Sequence, residues 1–270
     1  MKIAVTGATG FIGSQVYQHL IRRGYEVVSM SRRRLGSEML WRNYNLNLPA
    51  SQIDLTDVSA VVHCAYDMHL KSARHLAVNG SAAAELAEAC RRAGCRLLNI
   101  SSVVAFDPTA SWYARTKHAT EVSVTNSGGT NLRLGVLTEF DVDPLAIRIQ
   151  KVLELSWVRL IPIPSGWVWQ SSLKALMGSI ELCFQDDFNQ SVLWVAGDHA
   201  IRFKQHVSEI CEFVGMKVPL VEIPMPIVKG IVFPLDLFSK NRSAFSIDSL
   251  NGMSKSMMCA KRGIPTIESR

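Results

Sequence analysis

Four side chains in this 270-residue chain have the types and spacing for proton transfer: Ser101, Ser102, Tyr113 and Lys117. Tyr113 and Lys117 are four apart, so a helix sets them on one face. A phenol with an ordinary pKa of about 10 is a weak base at neutral pH. A neighbouring ammonium stabilises the phenolate, and an oxidised nicotinamide ring adds a second positive charge. Tyr113 is then able to exchange a proton with a substrate oxygen while hydride moves between carbon and nicotinamide. A serine hydroxyl holds that oxygen and steadies its charge, and Lys117 would also reach the nicotinamide ribose. Tyr-x-x-x-Lys alone is a common helix face. Its weight here comes from the Ser-Ser pair before it and from a phosphate-binding turn at the start of the chain.

That turn is Thr6-Gly7-Ala8-Thr9-Gly10-Phe11-Ile12-Gly13. Ile3 to Val5 is an apolar run suited to a strand buried on both faces, and Phe11, Ile12, Val16 and Leu20 have roughly helical spacing. A strand passing tightly into a helix presents free backbone N–H groups and the positive end of the helix dipole to a diphosphate. Glycine is required where any Cβ would hold the phosphates off. The expected dinucleotide contacts are Gly7, Thr9, Gly10, Phe11, Ile12 and Gly13. Tyr25 to Met30 reads as the second strand, and its end decides between cofactors. An acidic residue there suits the ribose 2′-hydroxyl of NAD, a basic one the 2′-phosphate of NADP. The chain offers Ser31-Arg32-Arg33-Arg34 and no acid. NADP is therefore expected, with NAD as the alternative, and Ser31, Arg32 and Arg33 as contacts. A third buried strand, Ala60 to Ala65, ends at Cys64 and Ala65 on the side that faces cofactor, with His63 as an ordinary sheet-edge histidine.

The elements around these groups set the fold class. Gly24 ends the first helix and Gly94 ends a long helix from about Leu70 to Ala93, which carries Asn79. Cys95 to Ser102 and Thr130 to Thr138 read as strands, Ser111 starts the helix of Tyr113 and Lys117, and Ser191 to Ala196 reads as a strand returning to the core. The result is an α/β doubly wound parallel Rossmann sheet with a smaller, interleaved C-terminal lobe. The expected division is 1–140 for the dinucleotide-binding core, 141–240 mainly for a substrate lobe, and 241–270 for a basic, flexible tail.

Composition narrows the partners. The net charge of +6 and pI near 9.1 come with no basic stripe interleaved with aromatics, which argues against nucleic acid and for an anionic small molecule. The six cysteines form no CxxC pair and the seven histidines no ligand spacing, so a metal is not expected and a reducing, cytoplasmic compartment is. The apolar N-terminus is interrupted by the glycine turn, unlike a signal peptide. Ile223 to Phe238 is broken by Pro224, Pro226, Lys229 and Pro234, so no transmembrane segment is expected. A homodimer remains compatible with all of this.

Together, the glycine turn, Val61-Val62-His63-Cys64-Ala65, Asn79, Ile100-Ser101-Ser102 and Tyr113-Ala114-Arg115-Thr116-Lys117 resemble the extended short-chain dehydrogenase/reductase family, which includes nucleotide-sugar epimerases, dehydratases and ketoreductases. The likeness runs to about residue 235, with weaker matches at Leu132-Arg133-Leu134-Gly135, Ile161 to Gly166 and Val195-Ala196-Gly197-Asp198. It implies Ser102 as the catalytic serine beside Tyr113 and Lys117, and Asn79 as the helix asparagine near the active site. Departures matter. Val103-Val104 stand where dehydratases of the family carry an Asp-Glu pair, so dehydration is not expected. No cysteine sits near Ser102 to serve as a carbon-epimerising base. The segment from Ser102 to Tyr113 is short, and Gln170-Ser171-Ser172 replaces a late motif with an aspartate.

The expected function is an NADP-dependent oxidoreductase acting on a carbonyl or hydroxyl carbon, most naturally a 4-keto nucleotide sugar. A nucleotide-sugar 4-epimerase with retained cofactor is the first alternative and a non-catalytic NADP-binding protein the second. A substrate diphosphate would be met by Arg133, Arg148 and Arg159 acting jointly.

Overall fold

The structure, a computed structural model, describes residues 1–34, 40–70, 72–141, 146–147, 150, 160–197, 199–230 and 247–262. Two compact units divide the chain: Met1–Leu134 with Leu173–Val195, and Gly135–Ser172 with Ala196–Arg270.

In the first unit the apolar runs become a parallel sheet covered on both faces. Its strands are β1 (Lys2–Thr6), β2 (Glu26–Ser31), β3 (Trp41–Asn43), β4 (Ala60–His63), β5 (Arg96–Ser102) and β6 (Thr130–Leu134). The returning strand Val192–Val195 completes it, pairing in parallel with β6. The spatial order runs Val192–Val195, β6, β5, β4, β1, β2, β3, and every pairing is parallel. Alternation along β1 explains the covering. Ile3 and Val5 pack with Leu98, Leu132, the first helix α1 (Phe11–Arg22) through Val16 and Leu20, and the helix Leu173–Cys183 through Leu176 and Ile180. Ala4 points the other way with Val28 and Val61, against Leu86 and Cys90 of α3 (Ser81–Ala93) and Val124 of α4 (Trp112–Asn126). Each fully buried Val, Leu or Ile among them contributes about 1.5–3 kcal/mol. The strand order reverses between β1 and β4, so their carboxyl ends open the crevice where ligands of such sheets bind.

Several local features differ from the sequence expectation. Trp41–Asn43 adds an edge strand on β2, and three residues are too few to show a period in the sequence. The long helix before Gly94 is divided into α2 (Ala73–His75), a π turn (Leu76–Gly80) and α3. The strand expected over Thr130 to Thr138 breaks at Gly135, where a side chain would overlap the Trp169 carbonyl, and Val136–Leu137 pairs with Gln170–Ser171 instead of continuing the large sheet.

The second unit is built from small pieces. Besides that pair, Ile161–Pro164 runs parallel to Leu220–Ile223, and Trp167–Val168 antiparallel to Ile201–Arg202. Ile161, Ile163 and Val168 pack on Val207, Ile210 and Cys211 of the helix Phe203–Phe213. The segment expected to be a flexible tail contains a 16-residue helix, Ile247–Arg262, whose Leu250 and Met257 are buried. Met257 fills the space over Gly166, which leaves no room for a side chain there. Among the described residues no helix is long and apolar enough to cross a membrane.

Candidate active site

The glycine turn lies at the carboxyl end of β1. Gly7 has φ +64, and a Cβ there would stand 2.8 Å from both the N and the Cα of Ala65. Only glycine satisfies both conditions. Gly13 is constrained differently: its Cβ would overlap the Gly7 carbonyl oxygen, so α1 can start this close to β1 only without a side chain. Gly10 caps α1 with no side-chain hydrogen bond, and no acidic residue occupies the first turn. The helix therefore presents its positive end beside exposed Thr9 and Gly10, with Phe11 and Ile12 half-buried behind them. Thr6 fastens the opposite wall. Its hydroxyl accepts from the backbone N–H of Cys64 and of Ala65, each at 3.2 Å, and meets His63 Nδ1 at 2.8 Å. Burial holds His63 near pKa 3, so the ring is neutral. Burial also raises the Cys64 thiol to about 12, which keeps it protonated.

At the end of β2, Ser31 is buried, while Arg32 and Arg33 are exposed. The Ser31 hydroxyl donates to the Arg33 carbonyl at 2.7 Å and accepts from Trp41 Nε1 at 3.1 Å. Ser31 thus shapes the loop that carries the arginines. These features fit a dinucleotide: a backbone cradle without side chains, an uncapped helix start, and cations instead of a carboxylate at the strand end.

The reacting groups gather at the carboxyl end of β5 and the first turns of α4. Ser111 caps α4, accepting from Ala114 N at 3.0 Å, and so fixes where Tyr113 leaves the backbone. Ser102, at the end of β5, is the polar side chain that acts on the Tyr113 hydroxyl. Desolvation pushes the phenol up to about 12, and the Ser102 side chain offsets part of that rise. Lys117 is buried, donates to the Ile100 carbonyl at 2.8 Å, and lies 5.9 Å from the centre of the Tyr113 ring. Burial lowers its ammonium from 10.5 to about 8, opposed by Glu121.

Asn79 sits on the π turn. Its side chain accepts from Asp67 N at 2.8 Å and donates to Asp67 O at 3.1 Å, pinning the loop after β4. π turns inside helices recur at functional sites, and this one carries the only asparagine of the helix that contains it.

Two residues of the site carried no expectation from sequence. Glu121, one turn beyond Lys117, is buried and accepts from Ser101 Oγ at 2.6 Å and from Arg133 Nε and Nη2 at 2.9 and 2.6 Å. Its signal was available in the chain, since Tyr113, Lys117 and Glu121 repeat at helical spacing. Tyr66, just past β4, packs edge-on against Tyr113 at 5.5 Å and lies under the Lys117 ammonium at 4.3 Å. Nothing in its spacing announces it.

Arg133 therefore does not match the expectation of a substrate-phosphate ligand. Its guanidinium is held by the buried Glu121 carboxylate and lies 5.4 Å from the Trp194 ring. Arg148 and Arg159 lie outside the described residues. Gln170, in the second unit, bonds His206 and Glu209. Among the described residues no group of His, Cys, Asp and Glu is arranged to hold a metal ion.

Known proteins share parts of this chain's sequence and fold. A ceramide reductase of Caulobacter vibrioides (strain NA1000 / CB15N) is 34% identical over 134 residues, which is 45% of this chain and 41% of that protein. The match thus spans about two-fifths of the length of that curated relative. Among solved structures, MoeE5 in complex with UDP-glucuronic acid and NAD has a TM-score of 0.66 at 21% identity, covering 83% of this chain and 86% of its own. The UDP-N-acetylglucosamine 4-epimerase from Bacillus cereus has a TM-score of 0.66 at 20% identity, covering 83% and 85%. At such identities these structures share the fold. Residues 3–134 match the NAD dependent epimerase/dehydratase family. That stretch holds the glycine turn, Ser102, Tyr113 and Lys117, so the likeness to the family covers the sheet and the reacting groups of the first unit.

Proposed function

We propose that this protein is an NADP-dependent reductase of a carbonyl carbon, with Tyr113 as the proton donor. The observation that carries the reading is the buried Lys117 ammonium 5.9 Å from the Tyr113 ring, at the end of the strand that carries Ser102. Gly7, Thr9, Gly10, Phe11, Ile12 and Gly13 hold the dinucleotide diphosphate, Cys64 and Ala65 line the opposite wall, and Arg32 and Arg33 meet the 2′-phosphate. When bound, the reduced dinucleotide supplies hydride.

The protein's own groups do the rest. Ser102 Oγ orients the carbonyl oxygen, and Tyr113 Oη gives up its proton as negative charge develops there. A phenol pushed up to about 12 stays protonated at neutral pH, which suits an acid in the reductive direction. The Lys117 ammonium stabilises the phenolate left behind, and Asn79 keeps the adjoining loop in place. Val103-Val104 supply no acid–base pair for dehydration.

For the substrate, a 4-keto nucleotide sugar agrees with the sugar nucleotides named for the structural neighbours, MoeE5 with UDP-glucuronic acid among them. A ketone on a lipid agrees with the Caulobacter relative, named a ceramide reductase, and with the engagement of Arg133 by Glu121. The first experiment is fluorescence titration of the purified protein with NADPH and NADH. Tighter binding of NADPH by tenfold or more is expected, since about 1.4 kcal/mol of charge-assisted contact suffices. Equal affinity would remove the NADP assignment.

A further inference from the structure

Lys117 must keep a positive charge where water does not reach it, and the surrounding residues divide that task unevenly. One of its N–H groups is satisfied by the Ile100 carbonyl. Glu121, one turn along α4, is the nearest carboxylate acting on it, but that carboxylate is shared with Arg133 on β6 and Ser101 on β5. Much of its field is thus neutralised. His63 and Cys64, at the end of β4, are held uncharged by burial. Tyr113, on the same helix, is 5.9 Å away and protonated at neutral pH. Among the described residues, the face of Tyr66 is a further electron-rich group against it, 4.3 Å from Nζ.

That ring is fixed from two sides. The Tyr66 hydroxyl and His75 Nδ1 are 3.2 Å apart, with His75 buried and its ring centre 5.8 Å from that of Tyr66. The other edge meets Tyr113 at an interplanar angle of 79°. A cation over the face of an aromatic ring is attracted by the ring quadrupole, and the attraction grows when water is excluded.

We propose that Tyr66 is a positioning residue whose ring face holds Lys117 as an ammonium beside the Tyr113 phenol. This rests on the reading of Tyr113 and Lys117 as the acid pair. Tyr66 touches neither reacting atom; it acts through Lys117.

The test is the titration of Lys117 itself, followed in the full chain by NMR of lysines labelled with carbon-13 at Cε. The signal is assigned by its absence in Lys117→Arg. Tyr66→Leu removes the ring face and should lower the Lys117 midpoint by about one pH unit, the equivalent of a desolvated cation–π contact. Tyr66→Phe keeps the face, loses the bond to His75, and should leave the midpoint near the native value. Phenylalanine carrying one, two or three ring fluorines at position 66 keeps the shape while draining the ring face. In that series the midpoint should fall step by step, and this result stands even where Tyr66→Leu does not fold. A midpoint that ignores fluorination, or one that shifts as far in Tyr66→Phe as in Tyr66→Leu, overturns the proposal. A midpoint that follows the ring in a protein that reduces no carbonyl would remove the reductase reading and keep this one. The reverse result would do the opposite.

Discussion

Two positively charged regions of the first unit make opposite use of water. On α4, Lys117 and Glu121 lie buried, with Arg133 of β6 half-buried against Glu121, so that each cation faces an assigned partner. After β2, Arg32 and Arg33 stand exposed on a loop that Ser31 and Trp41 shape from below. Charges out of water interact strongly, shift their pKa values and are little affected by salt; charges in water do none of these. The buried region is thus suited to steering protons, and the exposed one to capturing an anion without destabilising the fold. Variants in the two regions should separate along those lines.

The largest effect is expected at Glu121. Glu121→Ala leaves Arg133 and Ser101 without their acceptor, and breaking such a buried pair costs about 3–5 kcal/mol. Urea unfolding measures it, and the loss should be nearly the same at low and high salt. A cost below about 1 kcal/mol, as for an exposed ion pair, would erase the contrast between the two regions.

Next comes the pH dependence set by Lys117. Its ammonium titrates near 8 in the fold against 10.5 unperturbed. Between those values the unfolded chain holds more protons, so this group's contribution to stability rises with pH through that window. The stability of the native protein relative to Lys117→Met should therefore climb by up to about 3 kcal/mol from pH 8 to 10.5. A flat difference would mean that Lys117 is not desolvated.

The smallest effect belongs to the loop. Arg32→Ala with Arg33→Ala should weaken NADPH binding about tenfold and leave NADH binding unchanged. That preference should shrink as salt rises, because screening acts over about 10 Å at 0.1 M. Unfolding free energy should move by no more than about 0.5 kcal/mol. A preference that survives both the double variant and high salt would place the 2′-phosphate elsewhere.

The same contrast explains what could be read from the chain. Gly7 and Gly13 are legible because their role is an absence of side chain next to a buried strand, which spacing alone reveals. Tyr113 and Lys117 are legible because one helix face carries both. Arg133 misleads, since an arginine paired with a buried carboxylate looks in sequence like one waiting for a phosphate. Tyr66 reaches the site through the chain's path after β4, which no local pattern encodes. In the second unit the strands are two to four residues long, and Gly135 redirects the chain for want of space beside Trp169. Periodicity has no length over which to act there. The helix Ile247–Arg262 was hidden for another reason: its buried Leu250 and Met257 are spread among polar residues.

The central claim is that Tyr113 delivers the proton, while the glycine turn and the loop after β2 supply most of the dinucleotide's binding. Its most direct measurement is NADPH oxidation, followed by absorbance, against a panel of 4-keto nucleotide sugars, lipid ketones and small ketones. Native protein and Tyr113→Phe are run side by side, and dinucleotide affinity is titrated in both. The account predicts that the native protein reduces one class of carbonyl, and that Tyr113→Phe binds NADPH as tightly but turns over at least about 100-fold more slowly. Turnover at the native rate in Tyr113→Phe would contradict it.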